Sequence, residues 1–180
     1  AARATIANLV FAILTGNHKT ADGKLLFSKD HANLLEVTKF DLSSIDQAIQ
    51  LMNGQKSFDG KTPLAIEPEV LLAPTALHTR ALQILGSTSV EGADANFGIT
   101  NPLKDVVKVL KSHRLQATSP ADHYFINREA IEISYLDGVE TPFIDQIQGF
   151  DMDGIKTKVR IDAGVNVIDY RGLVKVKVGG

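Results

Sequence analysis

The sequence predicts an α+β protein, because helical and extended patterns occupy different parts of the chain. Three stretches with helical spacing of apolar residues lie within the first 86 residues. The part from residue 103 onward is rich in short extended runs. The sequence shows neither the regular strand–helix alternation of a doubly wound sheet nor an internal repeat, so helices and strands are expected to be segregated.

The first predicted helix covers residues 2–15. Its apolar side chains recur at steps of three and four residues, which places them on one helical face. These side chains are Ile6, Leu9, Val10, Ile13 and Leu14. Gly16 and Asn17 supply the helix stop.

Two further helices are predicted from a cap followed by an apolar stripe. Ser44 and Gln47 have the spacing of a capping box, which predicts a helix over residues 44–55. Its stripe consists of Ile45, Ala48, Ile49 and Met52. Thr75 can cap a third helix, and Gly86 ends it. The apolar face of this third helix consists of Leu77, Ala81, Ile84 and Leu85.

Extended runs bounded by glycine, proline or aspartate predict the strands. In the first half of the chain they cover residues 24–27, 64–66 and 70–73. In the second half they cover residues 106–110, 115–117, 124–126, 131–136 and 165–170, followed by an alternating tail. Asp153-Gly154 predicts the turn of a hairpin between residues 147–152 and 155–161. Residues 87–102 lack periodicity, which is typical of a long loop.

Composition limits the classes of function. The chain is 44% hydrophobic and can bury a sizeable core, and its formal net charge of -2 excludes the broad basic surface of a dedicated nucleic-acid-binding protein. Cysteine is absent, which excludes disulfides and thiolate metal sites. The longest apolar stretch, residues 6–14, is too short for a membrane span and lacks a signal-peptide pattern. The start at Ala1 inside a helix predicts that an upstream segment has been removed.

No residue is predicted to be catalytic, to bind a cofactor or to ligate a metal. The histidines are scattered and lack the spacing of a zinc helix, which favours surface or hydrogen-bonding roles. They are His18, His31, His78, His113 and His123. In the stretch from Asp151 to Gly154 the glycine follows the first aspartate too closely for a calcium loop, so a tight turn is expected. The loop over residues 92–98 lacks the lysine of a phosphate-binding loop.

A hydrolase is the alternative from another class of protein. Ser28, Asp30 and His31 have the residue types of a catalytic triad, but proximity in sequence does not create its geometry. Five carboxylates could in principle pair as acid and base, although most follow strands, where carboxylates simply face water. They are Asp145, Asp151, Asp153, Asp162 and Asp169. The hydrolase hypothesis therefore requires serine and histidine side chains that converge in space.

Four stretches in a shared order carry a family resemblance. The first is LLFSKDHANL at residues 25–34. The second joins the helix over residues 44–55 to DGKTPL at 59–64 and EPEVLLAP at 67–74. The third is the helix after Pro74 with the loop that ends at Asn101-Pro102. The fourth consists of GFDMDG, KVRIDAG and IDYRG between residues 149 and 172.

Together these stretches resemble the Mu-like branch of tailed-phage and prophage major capsid (major head) proteins, which have the Hong-Kong-97-type fold shared with encapsulin shells. The resemblance implies a peripheral domain, built on a spine helix and long strands, and an axial domain. It assigns residues 1–63 and 146–180 to the peripheral domain, with the spine helix in the first segment, and residues 64–145 to the axial domain. The N-terminal arm and extended loop of relatives are expected to be absent.

The resemblance also implies a function without catalysis. The expected role is a virion structural protein, made in the bacterial host cytoplasm, that self-assembles into hexameric and pentameric capsomers and an icosahedral shell around the phage genome. Its partner is chiefly itself, with a scaffolding protein, a maturation protease, the portal and other head proteins as further partners. Contact with packaged DNA is expected to be weak and non-specific, and none with membranes is expected. An encapsulin-type compartment shell and a hydrolase or capsid-maturation protease are the alternatives.

One charged pair near the last predicted strand is a candidate contact between subunits. Asp169 and Arg171 flank Tyr170 and have opposite charges. A solvated strand end explains the same pair equally well, so the sequence leaves both interpretations open.

Overall fold

The computed structural model describes residues 2–91, 98–148 and 154–179. The chain divides into two compact units. The smaller unit consists of Ala1–Gly16 and Ile131–Val167, and the larger consists of Asn17–Ala130 and Ile168–Gly180. The mixture of helices and strands agrees with the predicted α+β class.

The described elements are four helices and eleven strands. The helices are α1 (Ala2–Gly16), α2 (Leu42–Asn53), α3 (Thr75–Gly86) and α4 (His113–Thr118). The first six strands are β1 (Leu34–Val37), β2 (Val70–Pro74), β3 (Ser89–Glu91), β4 (Gly98–Thr100), β5 (Lys108–Ser112) and β6 (His123–Ile126). The remaining five are β7 (Ile131–Tyr135), β8 (Phe143–Gln148), β9 (Ile155–Arg160), β10 (Ala163–Val167) and β11 (Leu173–Val178).

A five-stranded mixed sheet forms the centre of the larger unit, in the order β1-β11-β6-β2-β5. β1 runs parallel to β11 and β2 runs parallel to β5, whereas β6 is antiparallel to both of its neighbours. β11 is the alternating tail of the sequence, and it lies inside the sheet with its first four residues buried. β1 lies at the sheet edge, in a segment for which the sequence predicts no strand.

The predicted domain segments 1–63, 64–145 and 146–180 do not coincide with the two compact units. The reason is that the central sheet takes strands from all three segments: β1 from the first, β2, β5 and β6 from the second, and β11 from the third. Whether these segments take peripheral and axial positions in a shell stays a prediction.

Helix α2 packs its predicted apolar stripe into the core, but its cap differs from the prediction. Asp41, not Ser44, is the N-cap: its carboxylate accepts from the Ser44 main-chain N–H at 2.9 Å, and the Ser44 hydroxyl completes the capping box. The helix therefore begins at Leu42. Ile45, Ala48 and Met52 are fully buried.

Helix α3 occupies the predicted residues, although Thr75 does not cap it. Pro74 is its N-cap and supplies no side-chain hydrogen bond, while the Thr75 hydroxyl pairs with His113 Nδ1 at 3.1 Å. The core of the larger unit joins this helix, α2 and the central sheet. It consists of Phe40, Ile45, Ala48, Ile49, Met52, Leu71, Ala81, Ile84, Leu85, Val107, Phe125, Val174 and Val176.

Three predicted strands are wrong for local reasons. In place of a strand over residues 24–27 there is one bridge between Lys19 and Leu25, because the Asn17 side-chain amide hydrogen-bonds to both main-chain groups of Phe27. Residues 64–66 do not pair, and Ala65 has a left-handed φ of 49°. Residues 115–117 belong to α4, which begins because the Ser112 hydroxyl accepts from the Leu115 N–H.

The smaller unit contains α1 as predicted, and α1 packs against β10. β10 pairs with β7. It corresponds to the strand predicted over residues 165–170, but it ends earlier than predicted, at Val167. The predicted hairpin is present as β8 and β9, with its first strand several residues earlier than expected. Residues 149–153, which include most of the predicted turn, lie outside the described residues.

The loop predicted over residues 87–102 contains a short antiparallel ribbon made of β3 and β4. Residues 92–97 of that loop lie outside the described residues. Among the helices that the structure describes, none is long and apolar enough to cross a membrane.

Candidate functional site

The β8–β9 hairpin carries five exposed large apolar side chains. The described side chains of β9 are all exposed, and so are those of β8 from residue 143 to 147. Its exposed large apolar side chains are Phe143, Ile144, Ile147, Ile155 and Val159. Isolated two-stranded hairpins are marginally stable in water, and contiguous exposed apolar patches mark interaction sites. The hairpin is therefore the strongest candidate for a contact surface.

The register of the hairpin separates its charges onto one face. Phe143 lies opposite Arg160, Asp145 opposite Lys158 and Ile147 opposite Lys156, so these six side chains share a face. The other face contains no ionisable group among its described side chains. It consists of Ile144, Gln146, Ile155, Thr157 and Val159. The hairpin thus has a cationic face and an uncharged face.

The strand-end carboxylates predicted as possible acid–base partners do not form a pair with one another where the structure describes them. Asp145 lies opposite Lys158, Asp162 Oδ2 lies 3.2 Å from Arg160 Nε, and Asp169 accepts from Arg171. Asp151 and Asp153 lie outside the described residues.

Asp169 and Arg171 form a contact within the subunit. Arg171 is buried, and its Nη1 lies 3.2 Å from Asp169 Oδ2. The guanidinium also lies 4.5 Å from the ring centroid of Phe58. Because these contacts engage the Arg171 guanidinium inside the larger unit, the pair does not offer a free charge to a neighbouring subunit.

The histidines occupy separate environments. His18 is exposed, His113 pairs with Thr75, and His123 is fully buried. His31 is buried, with Nε2 2.8 Å from Asp22 Oδ2 and Nδ1 3.1 Å from the Leu26 carbonyl oxygen. The hydrogen bond from His31 holds the pKa of the Asp22 carboxyl well below its usual range.

The suspected triad residues do not form a triad. Both ring nitrogens of His31 face Leu26 and Asp22, and the Ser28 hydroxyl accepts from the His31 main-chain N–H at 3.2 Å. Within residues 2–91, 98–148 and 154–179, no three His, Asp or Glu side chains are grouped so that they could hold a metal ion.

A second buried polar group lies in the middle of the central sheet. Lys175 Nζ is 2.8 Å from Asp122 Oδ2, and both side chains are largely buried. Neither ring nitrogen of the neighbouring His123 has a hydrogen-bond partner among the described residues. Burial lowers the pKa of His123 to about 4, so this ring is neutral at physiological pH. These side chains are buried inside the larger unit and have no access to a substrate.

Two features of the described structure could not be identified from sequence motifs. The alternation IKTKVR in β9 contains the signal for a cationic and an uncharged face, but only the register with β8 shows which side chains share each face. Phe58 lies in the turn Ser57-Phe58-Asp59-Gly60, and nothing in that pattern indicates that its side chain is 94% exposed.

Comparison with solved structures shows that the fold of the chain is similar to that of an encapsulin. The holo-SrpI encapsulin complex of Synechococcus elongatus PCC 7942 is similar over 98% of this chain, with a TM-score of 0.52 and 12% identity. The chain spans 64% of that encapsulin chain, less than two thirds of its length.

Two further solved structures are similar over most of the chain. A phage-related protein of Bordetella bronchiseptica RB50 has a TM-score of 0.49 and 8% identity, over 86% of this chain and 57% of that one. The satellite phage P4 procapsid including size determination (Sid) protein has a TM-score of 0.41 and 12% identity, over 80% of this chain and 43% of that one. No curated protein matches the chain.

The family described as phage capsid protein matches residues 1–176, and the chain belongs to that family. The exposed hairpin and the mixed α+β fold are compatible with membership of that family.

Proposed function

We propose that this protein self-assembles into hexameric and pentameric capsomers and then into an icosahedral shell that encloses a phage genome. The β8–β9 hairpin is the observation that supports this proposal most strongly. Family membership supplies the kind of assembly, and the hairpin supplies a surface that a neighbouring copy would cover.

Charge favours a second copy of the chain as the molecule that covers the hairpin. The described strands of the hairpin carry three cations and one carboxylate, whereas the whole chain has a formal net charge of -2. The remainder of each copy is therefore acidic, which suits the cationic face. The uncharged face supplies the apolar centre that stable interfaces contain.

A structural role without catalysis is part of the proposal, as is placement in the virion after synthesis in the bacterial cytoplasm. A scaffolding protein, a maturation protease, the portal and other head proteins are proposed as further partners. Contact with the packaged genome is weak and non-specific, since the chain carries a small net negative charge. Assignment to the Mu-like branch rests on the four stretches of sequence described above.

The division into axial and peripheral parts is also proposed, with its boundaries moved from the predicted segments to the two compact units. The resemblance assigns residues 64–145 to the axial domain. Because hydrogen bonds join β2, β5 and β6 to β1 and β11 in one sheet, we place β1 and β11 with them in the axial part. The peripheral part then contains α1 and the strands of the smaller unit.

An encapsulin-type compartment shell is the second candidate, favoured by the similarity of fold to the Synechococcus elongatus encapsulin. The contents of assembled particles distinguish the two functions. Nuclease-resistant DNA in particles isolated from the source bacterium would support the capsid role. A packaged protein in place of DNA would support the compartment role.

The test of self-assembly is negative-stain electron microscopy with light scattering. It is applied to the 180-residue chain and to the full product of its gene. Rings or shells from either sample would support the proposal. Strictly monomeric protein from both samples, across a range of salt and crowding conditions and with a scaffolding protein present, would overturn it.

A further inference from the structure

The outer edge of the central sheet carries a row of exposed cations. β5 pairs only with β2 in this sheet, so no described strand covers its other edge. The row consists of Lys104, which precedes the strand, Lys108 and Lys111, which belong to it, and Arg114, which lies in α4. All four side chains are exposed, and we call these four residues the β5 strip.

The β5 strip has free positive charge. None of its four side chains forms an ion pair among the described residues. Residues 98–121 carry four Lys and Arg side chains and one carboxylate, that of Asp105, so this segment has a formal net charge of +3. Since the whole chain has a formal net charge of -2, all other residues together carry -5. The β5 strip is thus a local basic surface on a protein that is acidic elsewhere.

The geometry of an edge strand places cations on both sides of the free edge. Successive side chains of a strand point to opposite faces of the sheet, so Lys108 and Lys111 flank the edge from opposite faces. The Lys108 N–H donates to the Glu69 carbonyl oxygen, on the β2 side, at 2.9 Å. In a parallel pair alternate N–H groups face the partner strand, so those of Val109 and Lys111 face the free edge. The edge therefore offers main-chain donors beside two ammonium groups.

Helix α4 fixes the position of the last cation of the strip. The Ser112 hydroxyl accepts from the Leu115 N–H at 3.2 Å, and the Leu115 side chain is fully buried. The Gln116 side-chain oxygen accepts from the Ala76 N–H at 2.8 Å, which joins α4 to the start of α3. The backbone of Arg114 is therefore held in place before a ligand binds, and only its side chain loses freedom on binding.

Protection of the sheet edge explains only part of this row. Lysines on an edge strand prevent pairing with a strand of another molecule, and Lys108 and Lys111 have that position. Lys104 and Arg114 lie outside β5, where there is no strand edge to protect. They extend the positive charge beyond the strand at both ends. Clustered, unpaired Lys and Arg side chains on one edge are typical of a surface that contacts the phosphates of a nucleic acid.

We propose that the β5 strip binds the phosphate backbone of double-stranded DNA, which is the packaged genome in the proposed capsid function on which this inference rests. The Cα atoms of Lys108 and Lys111 are ~10 Å apart at the usual rise of a strand, a span that covers about three phosphates along one DNA strand. Phosphate oxygens accept hydrogen bonds from Lys, Arg and main-chain N–H groups. The described parts of residues 75–121 contain no Phe, Tyr or Trp on which bases could stack, so the contact is with the backbone and independent of sequence.

An acidic polypeptide is the other polyanion that could use this charge. The exposed side chains of Val106 and Leu110 lie among the cations and would suit a protein partner. Lysine is depleted in protein interfaces, however, and three of the four cations of the β5 strip are lysines. DNA is therefore the favoured partner, and polyglutamate serves as the probe for the alternative.

The experiment measures binding of the 180-residue chain to a short fluorescein-labelled DNA duplex by fluorescence anisotropy. Four phosphate contacts predict a slope of about -3.6 for the logarithm of the binding constant against the logarithm of the salt concentration. Affinity should then fall about 150-fold between about 50 and 200 mM salt. Lys108→Gln/Lys111→Gln removes two contacts, so its slope should be about -1.8 and its loss of affinity about 12-fold over the same interval. Two duplexes of unrelated sequence should bind equally.

A second double variant with the same change of charge tests whether binding belongs to the β5 strip. Lys24→Gln/Lys29→Gln neutralises two exposed lysines elsewhere in the larger unit and should retain the wild-type slope. Circular dichroism verifies that both double variants are folded.

The outcomes separate the DNA contact from the proposed function. A salt dependence that weakens only in Lys108→Gln/Lys111→Gln supports the contact. Equal slopes for the two double variants, or no binding of DNA at about 50 mM salt, overturn it. Tighter binding of polyglutamate than of a duplex with the same number of charges also overturns it and assigns the strip to an acidic protein partner. Electron microscopy of the same protein tests assembly independently: shells without DNA binding by the strip leave the capsid function standing, whereas DNA binding by the strip without shells overturns the capsid function alone.

Discussion

The imidazole ring of His31 stacks on the phenol ring of Tyr170, with ring centroids 3.9 Å apart and planes inclined by only 12°. Its two nitrogens face the Leu26 carbonyl oxygen and the Asp22 carboxylate, which are both hydrogen-bond acceptors. His31 therefore joins the turn around Asp22 to the segment just before β11.

Replacing His31 should destabilise the larger unit. His31→Gln is expected to lower the free energy of unfolding by about 1–3 kcal/mol, because it removes a buried hydrogen bond and an aromatic stack. Urea denaturation followed by circular dichroism measures this change. His18→Gln is the matched control, since His18 is exposed, and an equal effect of the two substitutions would contradict the role assigned to His31.

Buried His123 should make stability depend on pH. Burial lowers its pKa in the folded protein from 6.5 to about 4, so between these values the unfolded chain binds a proton that the folded chain does not. Stability is then fully present above pH 6.5 and decreases as the pH falls toward 4, by about 3 kcal/mol in total. Urea denaturation at a series of pH values between 6.5 and 4.5 measures the slope.

His123→Leu provides the control for this slope. Leucine cannot take up a proton and fits the apolar contacts with Phe40 and Phe125. The variant should show a flatter dependence of stability on pH over the same interval. Asp22 and Asp59, whose pKa values are lowered from 3.8, contribute only at more acidic pH. A slope unchanged by the substitution would assign the effect to another group.

Gly172 should tolerate no side chain. A Cβ atom at this position would lie 2.7 Å from the Cβ of Ala130 and 3.3 Å from that of Asn127, where two short turns meet. Gly172→Ala is expected to cost about 1–3 kcal/mol through overpacking. In contrast, Gly86→Ala places its methyl group in open space at the end of α3 and should leave the thermal midpoint nearly unchanged. Thermal unfolding of both variants compares the two sites.

The uncharged face of the β8–β9 hairpin should matter more for assembly than its cationic face. Ile144 and Ile147 are each 62% exposed and lie on opposite faces. Ile144→Lys introduces a charge into the apolar centre of the proposed interface and should abolish assembly. Ile147→Lys adds a fourth cation to the cationic face and should have a smaller effect.

Light scattering of the two isoleucine variants measures assembly, and circular dichroism verifies that both remain folded. Because both side chains are exposed in the isolated chain, neither substitution should alter the thermal midpoint appreciably. Equal assembly of the two variants would remove the uncharged face from the interface.

Local signals predicted the helices better than the strands. The apolar stripe of α2 was sufficient to locate the helix, but two neighbouring residues, Asp41 and Ser44, compete for the cap, and the sequence does not rank them. Residues 115–117 resemble a strand by composition, yet the Ser112 hydroxyl starts a helix there. Side-chain hydrogen bonds of this kind depend on the local fold and leave little trace in hydrophobic periodicity.

The candidate contact surfaces depend on relationships that only the folded chain contains. The hairpin was predicted and is present, but its first strand lies earlier than predicted, and the separation of charge between its faces follows from the register of Ile144 with Val159.

The central position of β11 has a consequence for the timing of folding. β11 joins β1 to β6, yet its residues are synthesised last among the strands of that sheet, and Leu34 pairs with Lys175 far along the chain. At about 5–20 residues per second, several seconds separate the synthesis of β6 from that of β11. During that interval β1 lacks its neighbour in the sheet. The central sheet of the subunit therefore cannot be complete until translation has passed β11.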